Sequence, residues 1–268
     1  MVRTSRRQAG SFLACFALVV AACGSSTKSS GSSPTSGAGS AKLSGSLNVF
    51  AASSLTEAFN DEKTTLASSD PALKLTYDFA GSQALVTQIQ SGAPADVFAS
   101  ADQKNMQKLV TAGLVDAPKT FARNKLEIAV APGNPKHITG LADLVRSGVT
   151  LVLEDPSVPA GNYARQAFQA AGLPAPKPAS NELDVKSTLA KLTSGDADAV
   201  VVYVTDVKAA GSKVEGVEIP DAQNVIATYP IAVIKASKNA AAARAFVDEI
   251  VSGTGQQALQ ARGFLAPS

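Results

Sequence analysis

From residue 43 onward, short apolar runs bounded by small and turn-forming residues alternate with segments whose apolar positions recur every three or four residues. The pattern predicts strands near 46–51, 73–79, 96–99, 125–131, 149–153, 199–204 and 229–235. It predicts helices near 55–68, 83–91, 102–112, 140–146, 161–171, 185–194, 205–211 and 239–262. Alternation of this kind implies an α/β architecture with largely parallel sheets, whose ligands sit beyond the carboxyl ends of the strands. Residues 43–268 are enough for two lobes of ordinary domain size. No short fixed period appears, which argues against a solenoid.

Two strand-to-helix junctions share one chemistry. Leu47-Asn48-Val49-Phe50-Ala51-Ala52-Ser53-Ser54-Leu55 ends a β-rich run in tiny residues and two hydroxyls, and Leu75-Thr76-Tyr77-Asp78-Phe79-Ala80-Gly81-Ser82 does the same. Each predicts free backbone N–H groups, a partial positive charge and a serine hydroxyl at a strand end, which is how a fold holds an anion without a cation. The plainer alternative is that Ser54 and Ser82 only cap their helices. Three later places match. Val158-Pro159-Ala160-Gly161 precedes a helix and leaves the N–H of Ala160 or Gly161 free to donate, and Asn181-Glu182-Leu183-Asp184-Val185 offers the N–H of Val185. Tyr203 ends the strongest β run and can direct a hydroxyl into a cleft. The alternatives are an ordinary turn, Asp184 as an N-cap, and Tyr203 as a half-buried strand aromatic.

The N-terminus carries Arg3, Arg6 and Arg7, an uncharged stretch over 9–22, and Val20-Ala21-Ala22-Cys23. This predicts an export signal over 1–22, its apolar run shorter than the roughly 20 residues that span a bilayer. Residues 20–23 resemble the lipobox of bacterial lipoproteins, which implies acylation of Cys23 and a lipid anchor to the cell membrane. Residues 24–41 are nearly all Ser, Gly, Thr, Ala and Pro. Together 23–42 reads as the lipidated cysteine and a flexible tether, with a reach of about 25 Å.

Charge and chemistry then narrow the function. Loss of Arg3, Arg6 and Arg7 with the signal leaves 21 basic against 22 acidic residues, a net charge of −1. Neither that balance nor any basic run interleaved with aromatics recommends nucleic acid as a partner. Cys15 and Cys23 are the only cysteines, so the folded body has no disulfide and no thiol chemistry. A hydrolase built on Ser54 or Ser82 needs a base, and the single histidine, His137, sits in a turn-rich loop. There is no Gly-x-Ser-x-Gly elbow and no phosphate loop of the Gly-x-x-x-x-Gly-Lys type, and too few ligands for an ordinary zinc site. Binding remains, with no enzyme activity, no catalytic residue and no cofactor.

The junctions above, with Gly92-Ala93-Pro94-Ala95-Asp96-Val97-Phe98-Ala99-Ser100-Ala101-Asp102, Asp155-Pro156, Val202-Tyr203 and Tyr229-Pro230-Ile231-Ala232-Val233, run in order along the chain. In this they resemble the molybdate-binding receptors of bacterial ABC importers. The resemblance implies a two-lobed type II periplasmic-binding fold with two crossover strands, near Arg123 to Val130 and Ala222 to Ala232. Lobe I then comprises 43–124 and 221–268, and lobe II 125–220. The family's ligand positions fall on Ser54 and Ser82 (hydroxyls), Ala160 and Val185 (backbone N–H) and Tyr203 (phenol). Molybdenum would be bound only as the oxyanion, molybdate or tungstate, and delivered by a monomeric receptor on the extracytoplasmic face to a membrane permease. Ser53 departs from the alanine common in the family. The alternatives are a receptor for another oxyanion such as sulfate or phosphate, or a serine-dependent hydrolase.

Overall fold

The computed structural model describes residues 43–267. Ten strands and eight α-helices follow in chain order. They are β1 (Gly45–Ala52), α1 (Thr56–Ser69), β2 (Leu73–Ala80), α2 (Ser82–Gln90), β3 (Val97–Ala99), α3 (Gln103–Thr111), β4 (Lys119–Asn124) and β5 (Leu126–Val130). The chain continues with β6 (Leu151–Glu154), α4 (Pro159–Ala170), β7 (Ser180–Glu182), α5 (Val185–Thr193), β8 (Ala199–Tyr203), α6 (Val204–Ala210) and β9 (Glu215–Glu218). It ends with β10 (Ala227–Val233), α7 (Ala240–Ser252) and α8 (Thr254–Arg262).

The strands form two five-stranded sheets, one per lobe, in the orders β2-β1-β3-β10-β4 and β7-β6-β8-β5-β9. In the first, β1 runs parallel to β2 and β3, and β10 is antiparallel to β3 and β4. In the second, β6 runs parallel to β7 and β8, and β5 is antiparallel to β8 and β9. The sheets are therefore topological copies. The chain passes from one to the other between Asn124 and Leu126 and returns between Glu218 and Ala227.

Strand alternation explains the layers. Leu47, Val49 and Ala51 of β1 face one apolar cluster with Phe59, Phe121 and Phe246, whereas Phe50 faces a second with Leu85, Ile89, Phe98 and Met106. Sheet one thus carries α1, α7 and α8 on one face and α2 and α3 on the other. Parallel strands buried on both faces keep their carboxyl ends free, and the α1, α2, α4, α5 and α6 N-termini gather there.

The structure corrects the sequence expectation in four places. Both sheets are mixed, with two parallel and two antiparallel pairings each, where largely parallel sheets were expected, because each crossover brings in a strand running the other way. The helix expected over 239–262 is broken at Gly253, where a Cβ would overlap the Glu249 carboxylate, and that carboxylate accepts the Thr254 N–H at 2.6 Å. The segment expected as a helix over 140–146 is a 3-10 turn, Leu141–Val145. Strands β4, β7 and β9 were not expected, because they are short, polar and partly exposed, so no apolar periodicity marks them. Residues 1–42, with Cys23, lie outside the described residues.

Candidate functional site

Where the two lobes face each other, a small cavity is lined by Ser53, Ser54, Gly81, Ser82 and Ala101 from the first lobe and Val158, Pro159, Ala160, Val185 and Tyr203 from the second. The structure therefore brings together all five positions singled out in the sequence. The cavity is small, with space for about one water-sized body. No acidic or basic side chain lines it.

Neither serine caps a helix. Ser54 ends up in a 3-10 turn, Ser53–Leu55, and its hydroxyl lies 3.1 Å from the Tyr229 hydroxyl. The N-cap of α2 is Gly81, which has no side chain to offer, and Ser82 Oγ instead accepts the Ala101 N–H at 3.0 Å. An accepting hydroxyl has its own proton left to give, so Ser82, which lines the cavity, retains a donor. Both residues are buried.

The second lobe works through helix starts. Proline at the first position of α4 removes one N–H, so Ala160 carries the first free donor of that helix. In α5 the N-cap Asp184 accepts the N–H groups of Lys186 and Ser187 at 2.8 and 2.9 Å. Val185, between them and the cap, has no acceptor for its N–H among the described residues. Tyr203 is 1% exposed rather than half-buried, and its hydroxyl has no hydrogen-bond partner. Burial pushes that phenol well above the ordinary tyrosine range, so it remains a donor. A buried hydroxyl without a partner is costly unless something fills the space before it.

Close approach of the lobes depends on small residues and one ion pair. A Cβ on Gly81 would overlap the carbonyl oxygen of Leu183 across the cleft, an oxygen that also accepts from Gln83 Nε2 at 2.9 Å. Lys186 Nζ sits 2.8 Å from Glu57 of α1 and 3.1 Å from the buried Asp206 of α6. Burial opposes the lysine charge, but the two carboxylates outweigh it and hold the ammonium pKa above its usual value. Burial raises Asp206 to about 6, and raises the wholly buried Glu154 at the end of β6 to about 8. Sequence reasoning missed Glu57, Lys186, Asp206, Gln83 and the role of Tyr229 as a neighbour of Ser54. Gln83 and Tyr229 stood in motifs without a role; Ser54 with Tyr229 and Glu57 with Lys186 lie more than a hundred residues apart and leave no local signal. His137 is exposed in the loop over 131–140 and does not line the cavity, so Ser54 and Ser82 have no imidazole base there. Among the described residues no cluster of His, Cys, Asp and Glu is arranged to hold a metal ion.

Two mixed sheets hinged by two crossovers, closing on a charge-free pocket, define the class of cleft-binding receptors. The family model of bacterial extracellular solute-binding proteins matches residues 47–265, and the chain belongs to that family. It is 42% identical over 248 residues to the molybdate-binding protein ModA of Mycobacterium tuberculosis, covering 92% of each chain. The periplasmic molybdate-binding protein of Azotobacter vinelandii superposes with a TM-score of 0.73 at 22% identity, covering 83% of this chain and all of that one. The sulfate-binding protein SubI of M. tuberculosis superposes with a TM-score of 0.72 at 18% identity, covering 82% and 86%, a likeness of fold alone. The resemblance read from the motifs and the two-lobed α/β fold are borne out. The protein is a binding protein and not an enzyme.

Proposed function

We propose that this chain is the extracytoplasmic receptor of a molybdate ABC importer, binding molybdate, and tungstate with it, between lobes made of 43–124 with 221–268 and of 125–220. The observation that supports the reading is the cavity itself, lined by Ser54, Ser82, Tyr203, Ala160 and Val185 with no charged side chain. Neutral donors stabilise a dianion through fixed dipoles, and no ion pair to the ligand itself has to be broken on release. A ring of donors also disfavours a protonated oxyanion, whose O–H would face another donor. The 42% identical relative of that name supports the choice of molybdate.

The same reading includes export by residues 1–22, acylation of Cys23, a tether over 23–42, and a monomer that delivers its ligand to a membrane permease. Calorimetry with molybdate, tungstate, sulfate and phosphate tests the ligand. Molybdate and tungstate are expected to bind far more tightly than the other two, and preference for sulfate or phosphate would replace the reading with a receptor for that anion. Cys23→Ser is expected to abolish incorporation of a fatty-acid analogue in cells and leave molybdate binding unchanged. Label in the serine variant would refute the anchor.

A further inference from the structure

Tyr229 is buried completely, yet its hydroxyl touches the Ser54 hydroxyl that lines the cavity. Ser54 and Tyr229 are 3.1 Å apart, and either could donate. The choice matters for the cavity. If Ser54 donates to Tyr229, lone pairs face an incoming anion; if Ser54 accepts, its own proton faces it.

Chemistry favours the second arrangement, and packing holds the ring where it can act. A phenol is the stronger acid and the weaker acceptor of the two, because its lone pairs are delocalised into the ring. Burial keeps it protonated. The ring is held by edge contacts with Phe121, Tyr203 and Phe264, at centroid distances of 6.2, 5.8 and 5.5 Å. The register of β10 against β4 shifts between Tyr229 and Pro230, an irregularity that fixes the local backbone beside the ring. Tyr229 does not itself line the cavity.

We propose that Tyr229 is a positioning residue that makes Ser54 an obligate donor: its phenol O–H donates to Ser54 Oγ, and the serine proton is left to face the oxyanion. Ser82 reaches the same state by accepting the Ala101 N–H, so the two first-lobe hydroxyls are polarised alike, one by main chain and one by a phenol. Tyr229 also stands on the returning crossover strand and packs on Tyr203 of the other lobe. The polarity of Ser54 is therefore set from β10, the strand that the returning crossover leads into. The inference deepens the oxyanion reading and rests on it.

The test is a double-mutant cycle on the full chain with Tyr229→Phe, Ser54→Ala and the pair, titrated with molybdate by calorimetry and checked by thermal unfolding. Tyr229→Phe is expected to weaken molybdate roughly tenfold, and to add nothing further in the Ser54→Ala background. In Tyr229→Phe, freed from its polarising partner, Ser54 can accept from a protonated oxyanion, so phosphate should compete with molybdate better than in the parent. Should Tyr229→Phe fail to fold, 3-fluorotyrosine at position 229, a stronger donor of nearly the same size, is expected to tighten molybdate binding. Unchanged affinity, losses that add across the cycle, or fluorotyrosine that weakens binding would overturn the proposal while leaving the oxyanion site standing. Failure of the parent to bind any of the four anions would instead overturn the site reading and this inference together.

Discussion

In the first lobe the order β1-α1-β2-α2-β3-α3 brings side-chain hydroxyls to the cavity, those of Ser54 and Ser82. In the second lobe the matching order β6-α4-β7-α5-β8-α6 brings the main chain at Ala160 and Val185, with one phenol, Tyr203. The sheets have the same strand order, so topology does not account for the difference. The helix starts do. Gly81 gives α2 an N-cap without a side chain, and Ser82 just inside the helix is free to turn toward Ala101 and the cavity. Asp184 gives α5 a cap that consumes the second and third N–H groups and leaves the first, and Pro159 does comparable work in α4 by removing a donor. Identical scaffolds thus present either side chain or backbone according to one or two residues at each helix start.

The sharpest break of this comparison is at the two glycines. Gly81→Ala places a methyl group against the Leu183 carbonyl of the opposite lobe, so it is expected to oppose closure, weakening molybdate about a hundredfold with little change in melting temperature. Gly161→Ala instead pushes into the carbonyl oxygens of Asp155 and Glu154 within its own lobe, so it is expected to lower the melting temperature as well. Calorimetry and thermal unfolding on the two variants separate the outcomes; equal destabilisation by both would contradict the closure role of Gly81.

Next come the donors. Ser82→Ala and Tyr203→Phe should each weaken molybdate about ten- to hundredfold, since a hydrogen bond to a charged partner contributes roughly 1.5–3 kcal/mol. Val185→Pro tests a backbone donor directly. Proline is tolerated at the first helical position, so the N–H is deleted while α5 persists. A loss similar to that of Ser82→Ala, with unchanged circular dichroism, is expected. Ser147→Ala, at an exposed site away from the cavity, is the control. Ser100 is unsuitable for that purpose, because it is buried and its hydroxyl bonds Asp102 at 3.3 Å.

A third difference concerns buried acids. Burial raises Glu154 of the second lobe to about 8 and Glu62 of the first to about 7, where Thr254 partly offsets it. An acid whose folded pKa exceeds its unfolded value favours the folded state while protonated. That contribution is complete below about pH 4.5 and is lost as pH rises to about 7 for Glu62 and about 8 for Glu154. Melting temperature should therefore fall between pH 5 and 8, and Glu154→Gln should remove more of the slope than Glu62→Gln. A profile unchanged in Glu154→Gln would refute the assignment.

The smallest expected effect is at the ion pair that joins the lobes. Glu57→Gln removes one partner of Lys186 but leaves Asp206 to it, and the pair is about one-third exposed, so a loss of up to about fivefold is expected. The loss should appear in the release rate and shrink at high salt. A rate independent of the substitution would show that closure does not use the pair.

The sequence by itself determined the alternation of strands and helices, the small residues at strand ends and the neutral character of the donors. These are local properties: periodicity, capping and residue type are written within a few positions of each other. The five cavity positions were legible for that reason. Tertiary structure alone decided that Ser54 meets Tyr229 and not its own helix, that Lys186 reaches Glu57, that Gly81 lies under the Leu183 carbonyl, and that α7 and α8 part at Gly253. Each depends on how two sheets and their helices pack across the crossovers, and partners brought together from opposite ends of the chain carry no periodicity that either segment displays alone.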